Sequence, residues 1–180
     1  MNPQGAFLFL LGIAIDLYIF LVLTRFLLQL VKADFYNPLS QFVVKATNPI
    51  LIPLRKLIPG HGGVDVAALV AVVALILFKL VLLSVLTFGA LRASVPQLLL
   101  ATVTELARLM LNYLFWAIIL RIILSWVSPD PRNPIVRVVS QITEPVMAPA
   151  RKVIPPMGGL DLSPIVVLLL IQFVQILFRL

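Results

Sequence analysis

Residues 37–65 of this chain are echoed without a gap at 133–161, an offset of 96 positions. Asn37-Pro38 returns as Asn133-Pro134, and Thr47-x-Pro49 returns as Thr143-x-Pro145. Pro53-Leu54-Arg55-Lys56-Leu57-Ile58-Pro59 returns as Pro149-Ala150-Arg151-Lys152-Val153-Ile154-Pro155, and Gly62-Gly63-x-Asp65 as Gly158-Gly159-x-Asp161. Arg25 maps onto Arg121 by the same offset. An internal duplication reduces the folding problem to one unit used twice. The boundaries implied are about 5–90 and 97–180, within one membrane domain spanning 1–180.

The duplicated unit is apolar. The chain is 62% hydrophobic and 12% charged, with a mean hydropathy of +1.13. A soluble fold could not cover that much apolar surface, so lipid is part of its solvent. Four runs are long enough for a hydrocarbon core of about 30 Å. They lie near 6–31, 66–89, 105–127 and 163–180, and the third can extend back to Pro96. The start, Met1-Asn2-Pro3, lacks the basic region of a signal peptide, so the first run reads as a retained helix. Two spans per half return the chain to its starting side. The expected fold is all-α, with four transmembrane helices as two parallel tandem repeats.

Orientation follows from charge. There are 14 Lys+Arg against 7 Asp+Glu, a formal net charge of +7. Most cations fall in the segments after spans one and three: Lys32, Lys45, Arg55, Lys56, Arg132, Arg137, Arg151 and Lys152. That pattern indicates cytoplasmic loops and outside termini in a multi-pass membrane protein, and not a nucleic-acid-binding patch. In each loop an Asn-Pro pair reads as a helix cap with proline at the first helical position. Leu39, Phe42, Val43 and Ala46 then recur with helical spacing, as do Ile135, Val138, Val139 and Ile142. Each half is therefore expected to carry a short amphipathic helix ending at Pro49 or Pro145, followed by a proline-rich turn. Asp65 is placed to cap span two. In the second copy Asp161 or Ser163 can cap, with Pro164 opening the helix.

Few residues are equipped for chemistry. Lys79, deep in span two, is the most costly charge, and Asp16 at a similar depth in span one is its natural partner. The pair either fixes helix register or belongs to an ion pathway. Its mates 96 positions later are the neutral Asn112 and Gln175. Arg25 and Arg121 lie near the ends of spans one and three, where they either snorkel to the interface or tie down the following loop. The pairs Arg55-Lys56 and Arg151-Lys152 are candidate sites for anionic headgroups or a partner. Glu105 and Arg108 can pair locally at a solvated helix end. His61 and Met157 are mates before Gly-Gly, a weak pattern for haem iron. The chain has no cysteine and a single histidine, so no metal or other cofactor is expected. No nucleophile–base constellation, phosphate loop or H-E-x-x-H pattern appears, so no enzyme activity is expected.

The motif D-F-Y-N-P-L-S-Q-F-V-V-K-A-T-N-P-I-L-I-P-L-R-K-L-I-P at 34–59, with its copy across 125–161, resembles the YggT family, also called YlmG-like. The resemblance covers essentially the whole chain. It implies an inner-membrane protein connected with osmotic or ionic stress tolerance, with septum and nucleoid organisation, or in plastids with assembly of a b-type cytochrome. It carries over no catalytic site. The function expected is a membrane scaffold or accessory factor that meets anionic lipids and a membrane-protein partner or further copies of itself. The alternative is an ion-handling oligomer using Asp16 and Lys79.

Overall fold

The structure is a computed structural model that describes residues 3–60, 63–127, 130, 132–154 and 161–180. Among them are six helices: α1 (Pro3–Leu30), α2 (Pro38–Leu57), α3 (Val66–Phe88), α4 (Val95–Val127), α5 (Pro134–Val153) and α6 (Ser163–Phe178). Helices α1, α3 and α4 are long and apolar enough to cross a bilayer. Helix α6 is apolar but has 16 residues, a rise of about 24 Å. His61, Gly62, Met157, Gly158 and Gly159 lie outside the described residues.

The chain divides into two compact units, Met1–Leu30 with Val43–Leu106, and Val31–Phe42 with Ala107–Leu180. In the first, α1 packs on α3 through Ile19, Val22, Leu23 and Phe26 against Ala67, Ala68, Ala71, Val72 and Ile76. The alanines let the two backbones approach closely, which matters where lipid gives helices no hydrophobic reason to associate. The two run antiparallel: Gln4 at the start of α1 donates to the Leu86 carbonyl near the end of α3. Asp65 caps α3 by accepting from the Ala68 N–H at 3.1 Å, and Gly89 ends it in the left-handed region at φ 73°. In the second unit Ile118 of α4, Met147 of α5, and Val167 and Ile171 of α6 form the core. There α6 starts differently from the expectation. Leu162 is its cap residue without a side-chain bond, Pro164 is its second residue, and Asp161 instead accepts from the Ser163 N–H.

The proline segments also differ. Both α2 and α5 run through their prolines for 20 residues, so the short helix and proline-rich turn are replaced by one kinkable rod. The reason lies on the opposite face. Val43, Thr47 and Leu51 form one buried stripe, and Val139, Thr143 and Met147 repeat it 96 positions on. All four prolines, at 49, 53, 145 and 149, sit on the exposed face. Each proline removes one backbone bond, at a cost of about 3 kcal/mol. Because each pair is four residues apart, the losses stay on one side while the buried stripe continues. The threonine hydroxyls reinforce that inner side, donating to the carbonyls of Val43 and Val139 at 2.7 and 2.8 Å. Two residues of the expected stripes face outward instead: Phe42 and Ile135 are exposed.

Candidate functional site

Within each unit, charged or polar side chains of the described residues meet at two levels along the helices. The first is halfway along the helices. Asp16 has 13 residues of α1 before it and 14 after, and Lys79 lies near the middle of α3. Antiparallel packing brings them level, and the Lys79 ammonium donates to Asp16 Oδ1 at 2.5 Å. A second carboxylate joins them. Glu105 Oε1 of α4 stands 3.7 Å from the same nitrogen. By sequence Glu105 belongs to a solvated helix end, and only the approach of α4 reveals its place beside Lys79. In the other unit the mates make the same contact without charge: Gln175 Nε2 donates to Asn112 Oδ1 at 2.9 Å.

The second level lies where α2 and α5 end. In the first unit Arg55 pairs with Asp65 and also donates to Gln29 Oε1 at 3.3 Å. Asp65 is buried, so this guanidinium neutralises a carboxylate that also holds the α3 cap. Arg25 is buried in the same unit. In the second unit the arrangement changes. Arg121 donates to Thr143 Oγ1 at 2.8 Å and to Glu144 at 3.0 Å, and Arg151 donates to both oxygens of Glu144. Glu144 thus bridges two arginines, and Asp161 is left exposed. The signal for Glu144 was present in the sequence. It replaces Asn48, its mate 96 positions earlier, and stands seven residues before Arg151 on one helix face.

The Arg-Lys pairs are therefore divided. Arg55 and Arg151 turn inward to acids, while Lys56 and Lys152 face out. Just before each of these helices an aspartate turn repeats. Asp34 Oδ1 accepts from Tyr36 N–H and Asp130 Oδ1 from Arg132 N–H, after which Asn37 and Asn133 cap α2 and α5. Asn37 also donates to the Pro134 carbonyl at 2.8 Å, and Arg137 pairs with Asp34 at 3.0 Å. Among the described residues no group of three or more metal-ligating side chains occurs.

Partial burial pushes the Glu144 carboxyl upward, but the hydrogen bonds and charges of Arg121 and Arg151 outweigh it and hold the group below the ordinary range. Asp161 is lowered first by its side-chain hydrogen bond with Ser163, which prevails over its slight burial. A depressed folded pKa means that the bridge contributes fully above the ordinary carboxylate range and is lost as pH falls through the lowered value. In detergent, the thermal midpoint should fall on acidification below about pH 4. Glu144→Gln should start lower, by about 1 kcal/mol because the group is half exposed, and show a flatter acid limb. Equal acid limbs in the two proteins would remove Glu144 from the account.

The model of the CCB3/YggT family matches residues 4–86 and 100–180, which include both Asn-Pro helices and both Arg-Lys pairs. The chain belongs to the CCB3/YggT family. It is 45% identical over 162 residues to the uncharacterized protein PA0392 of Pseudomonas aeruginosa, covering 90% of this chain and 82% of that one. It is 39% identical over 168 residues to the uncharacterized protein YggT of Escherichia coli K12, covering 93% and 86%. A 58-residue stretch, 32% of this chain and 33% of the other, is 40% identical to the chloroplastic protein CCB3 of Arabidopsis thaliana, which is named for cofactor assembly of complex C. No solved structure matches. This CCB3/YggT chain is thus a membrane protein whose described residues form helices and turns, with side-chain pairs such as Asp16–Lys79, Arg55–Asp65 and Arg121–Glu144 tying helices together.

Proposed function

We propose that this CCB3/YggT protein is a non-enzymatic accessory factor of the bacterial inner membrane, a scaffold for assembly of membrane complexes or for osmotic and ionic stress tolerance. The observation that carries this reading is how the charged groups are used. Arg55 is held by Asp65, Arg121 and Arg151 by Glu144, and Lys79 by Asp16. Lys79–Asp16, Arg55–Asp65 and Arg121–Glu144 tie one helix to another, Arg151–Glu144 braces α5 itself, and none of them presents a nucleophile with a base. The chloroplast relative, named for cofactor assembly, supports the same direction.

In this reading α6 is a fourth span, and the chain is two parallel tandem repeats of about 5–90 and 97–180. Support comes from paired contacts at one offset: Asp16–Lys79 with Asn112–Gln175, and the two threonine stripes. The basic segments are cytoplasmic and the termini outside, as the charge bias favours. Lys56 and Lys152, exposed beside the exposed prolines, meet anionic headgroups, and a membrane-protein partner or a second copy covers part of the apolar surface. Cysteines at Gln41 and Val153, both exposed and outside the pairs above, should resist an impermeant thiol reagent added to intact cells. Labelling from outside would reverse the topology.

A second reading, ion handling, is favoured by one observation: Glu105 adds a second carboxylate to the mid-helix cluster. Reconstituted liposomes separate the two. The scaffold reading expects proton, sodium and potassium leak no greater than in protein-free vesicles. A leak abolished by Asp16→Asn with Lys79→Gln would sink it in favour of transport.

A further inference from the structure

Where α4 ends and α6 begins, the second unit contains a cavity of about 680 Å³. Arg121 and Asp161 line it together with Ile122, Ser125, Trp126 and Ile165. The equivalent positions of the first copy, 96 residues earlier, are packed differently. There Phe26 and Asp65 are buried, and Arg55 reaches across to Gln29 and Asp65 at once. Two changes distinguish the second copy. Ser125 replaces Gln29 and is too short to fill the space. Arg151 gives its guanidinium to Glu144 instead of to the aspartate. Among the described residues Asp161 accepts from Ser163, and it stays exposed beside the cavity.

The cavity therefore offers one fixed cation, one fixed anion and an apolar wall at a helix end, where Trp126 and Ile165 are exposed. Arg121 has five donors, of which two go to Thr143 and Glu144. Its planar fork suits a phosphate. Asp161 is ionised at neutral pH and only accepts hydrogen bonds. It selects a ligand cation that can donate, which a primary ammonium does and a quaternary one does not. The two charges cancel, so a ligand with a net negative charge meets the carboxylate as a repulsion. A volume of this size holds a headgroup and the upper part of an acyl chain.

We propose that this cavity binds one zwitterionic glycerophospholipid with a primary-amine headgroup, its phosphate on Arg121, its ammonium on Asp161 and a chain along Trp126 and Ile165. The site is separate from the exposed lysines and does not rest on the scaffold reading.

The test is native mass spectrometry of the full chain released from nanodiscs holding equal palmitoyl-oleoyl phosphatidylethanolamine, phosphatidylglycerol and phosphatidylcholine. One phosphatidylethanolamine per chain should be retained, about tenfold over either other lipid. Asp161→Asn should remove that preference without losing the fold. Ile122→Phe with Ser125→Gln, which places the first copy's residues in the cavity, should lose the bound lipid while the thermal midpoint holds or rises. Equal retention of the three lipids by the unaltered chain overturns the proposal. So does retention of phosphatidylethanolamine by the filled variant. Displacement by chain-free glycerophosphoethanolamine at equal concentration would identify a soluble ligand and overturn the lipid assignment.

Discussion

Replacing Lys79 with Gln should destabilise the protein by about 3 kcal/mol, because the Asp16 carboxylate then loses its cation in an apolar setting. Adding Asp16→Asn should return most of that loss. The double variant Asp16→Asn, Lys79→Gln re-creates the amide pair that the other unit already contains, Asn112 with Gln175 at 2.9 Å. It should lie within about 1 kcal/mol of the starting protein, as expected for a neutral hydrogen bond between membrane helices. Unfolding in mixed micelles measures all three. If the single and double variants differ by no more than the effect of Asp16→Asn alone, the residues are not coupled and the 2.5 Å contact does not hold helices together. The same double variant is informative for function. It keeps the tie and removes the Asp16–Lys79 ion pair while leaving Glu105 in place, so a scaffold tolerates it and an ion pathway through that pair does not.

The second large effect is expected at Asp65. This buried carboxylate performs two tasks, capping α3 through the Ala68 N–H and neutralising Arg55. Asp65→Ala removes a cap, worth about 1 kcal/mol, and leaves a half-buried guanidinium without its acid. A loss of about 3 kcal/mol follows, lowering the thermal midpoint by several degrees. Asp65→Asn should fall between, since an amide still caps. The mate Asp161→Ala should cost less than about 1 kcal/mol, because Asp161 is exposed and Arg151 is already satisfied by Glu144. Equal losses at Asp65 and Asp161 would show that the two arginines are not partnered as described.

Helical order was legible because it is local. A run of apolar residues and an Asn-Pro cap specify where α1, α2, α3 and α5 begin, and the 96-position offset pairs Asp16–Lys79 with Asn112–Gln175. Depth along a helix follows from counting, which is why Asp16 and Lys79 can be matched without any knowledge of packing. Pro49 and Pro145 look like helix ends when only the lost backbone bonds are weighed. The buried stripe that continues to Leu51 and Met147 reverses that balance. A helix ends where its total free energy turns unfavourable, and packing on the far face belongs to that total.

Partner choice was not legible. Arg55 and Arg151 occupy equivalent positions in the two copies, yet one takes Asp65 and the other Glu144. That outcome depends on which acid lies within reach of a flexible side chain once separate helices have docked. Glu105 reaches Lys79 for the same reason. The sequence by itself determined the helices, the duplicated positions, the membrane setting and the level of the mid-helix charges, all properties of periodicity and counting along one chain. Only the tertiary structure decided which charges meet, that a cavity lies beside Arg121 and Asp161 in the second copy where Arg55 reaches across to Gln29 and Asp65 in the first, and which cations face out. Those features depend on the approach of elements tens of residues apart and on the length of single side chains such as Ser125 and Gln29.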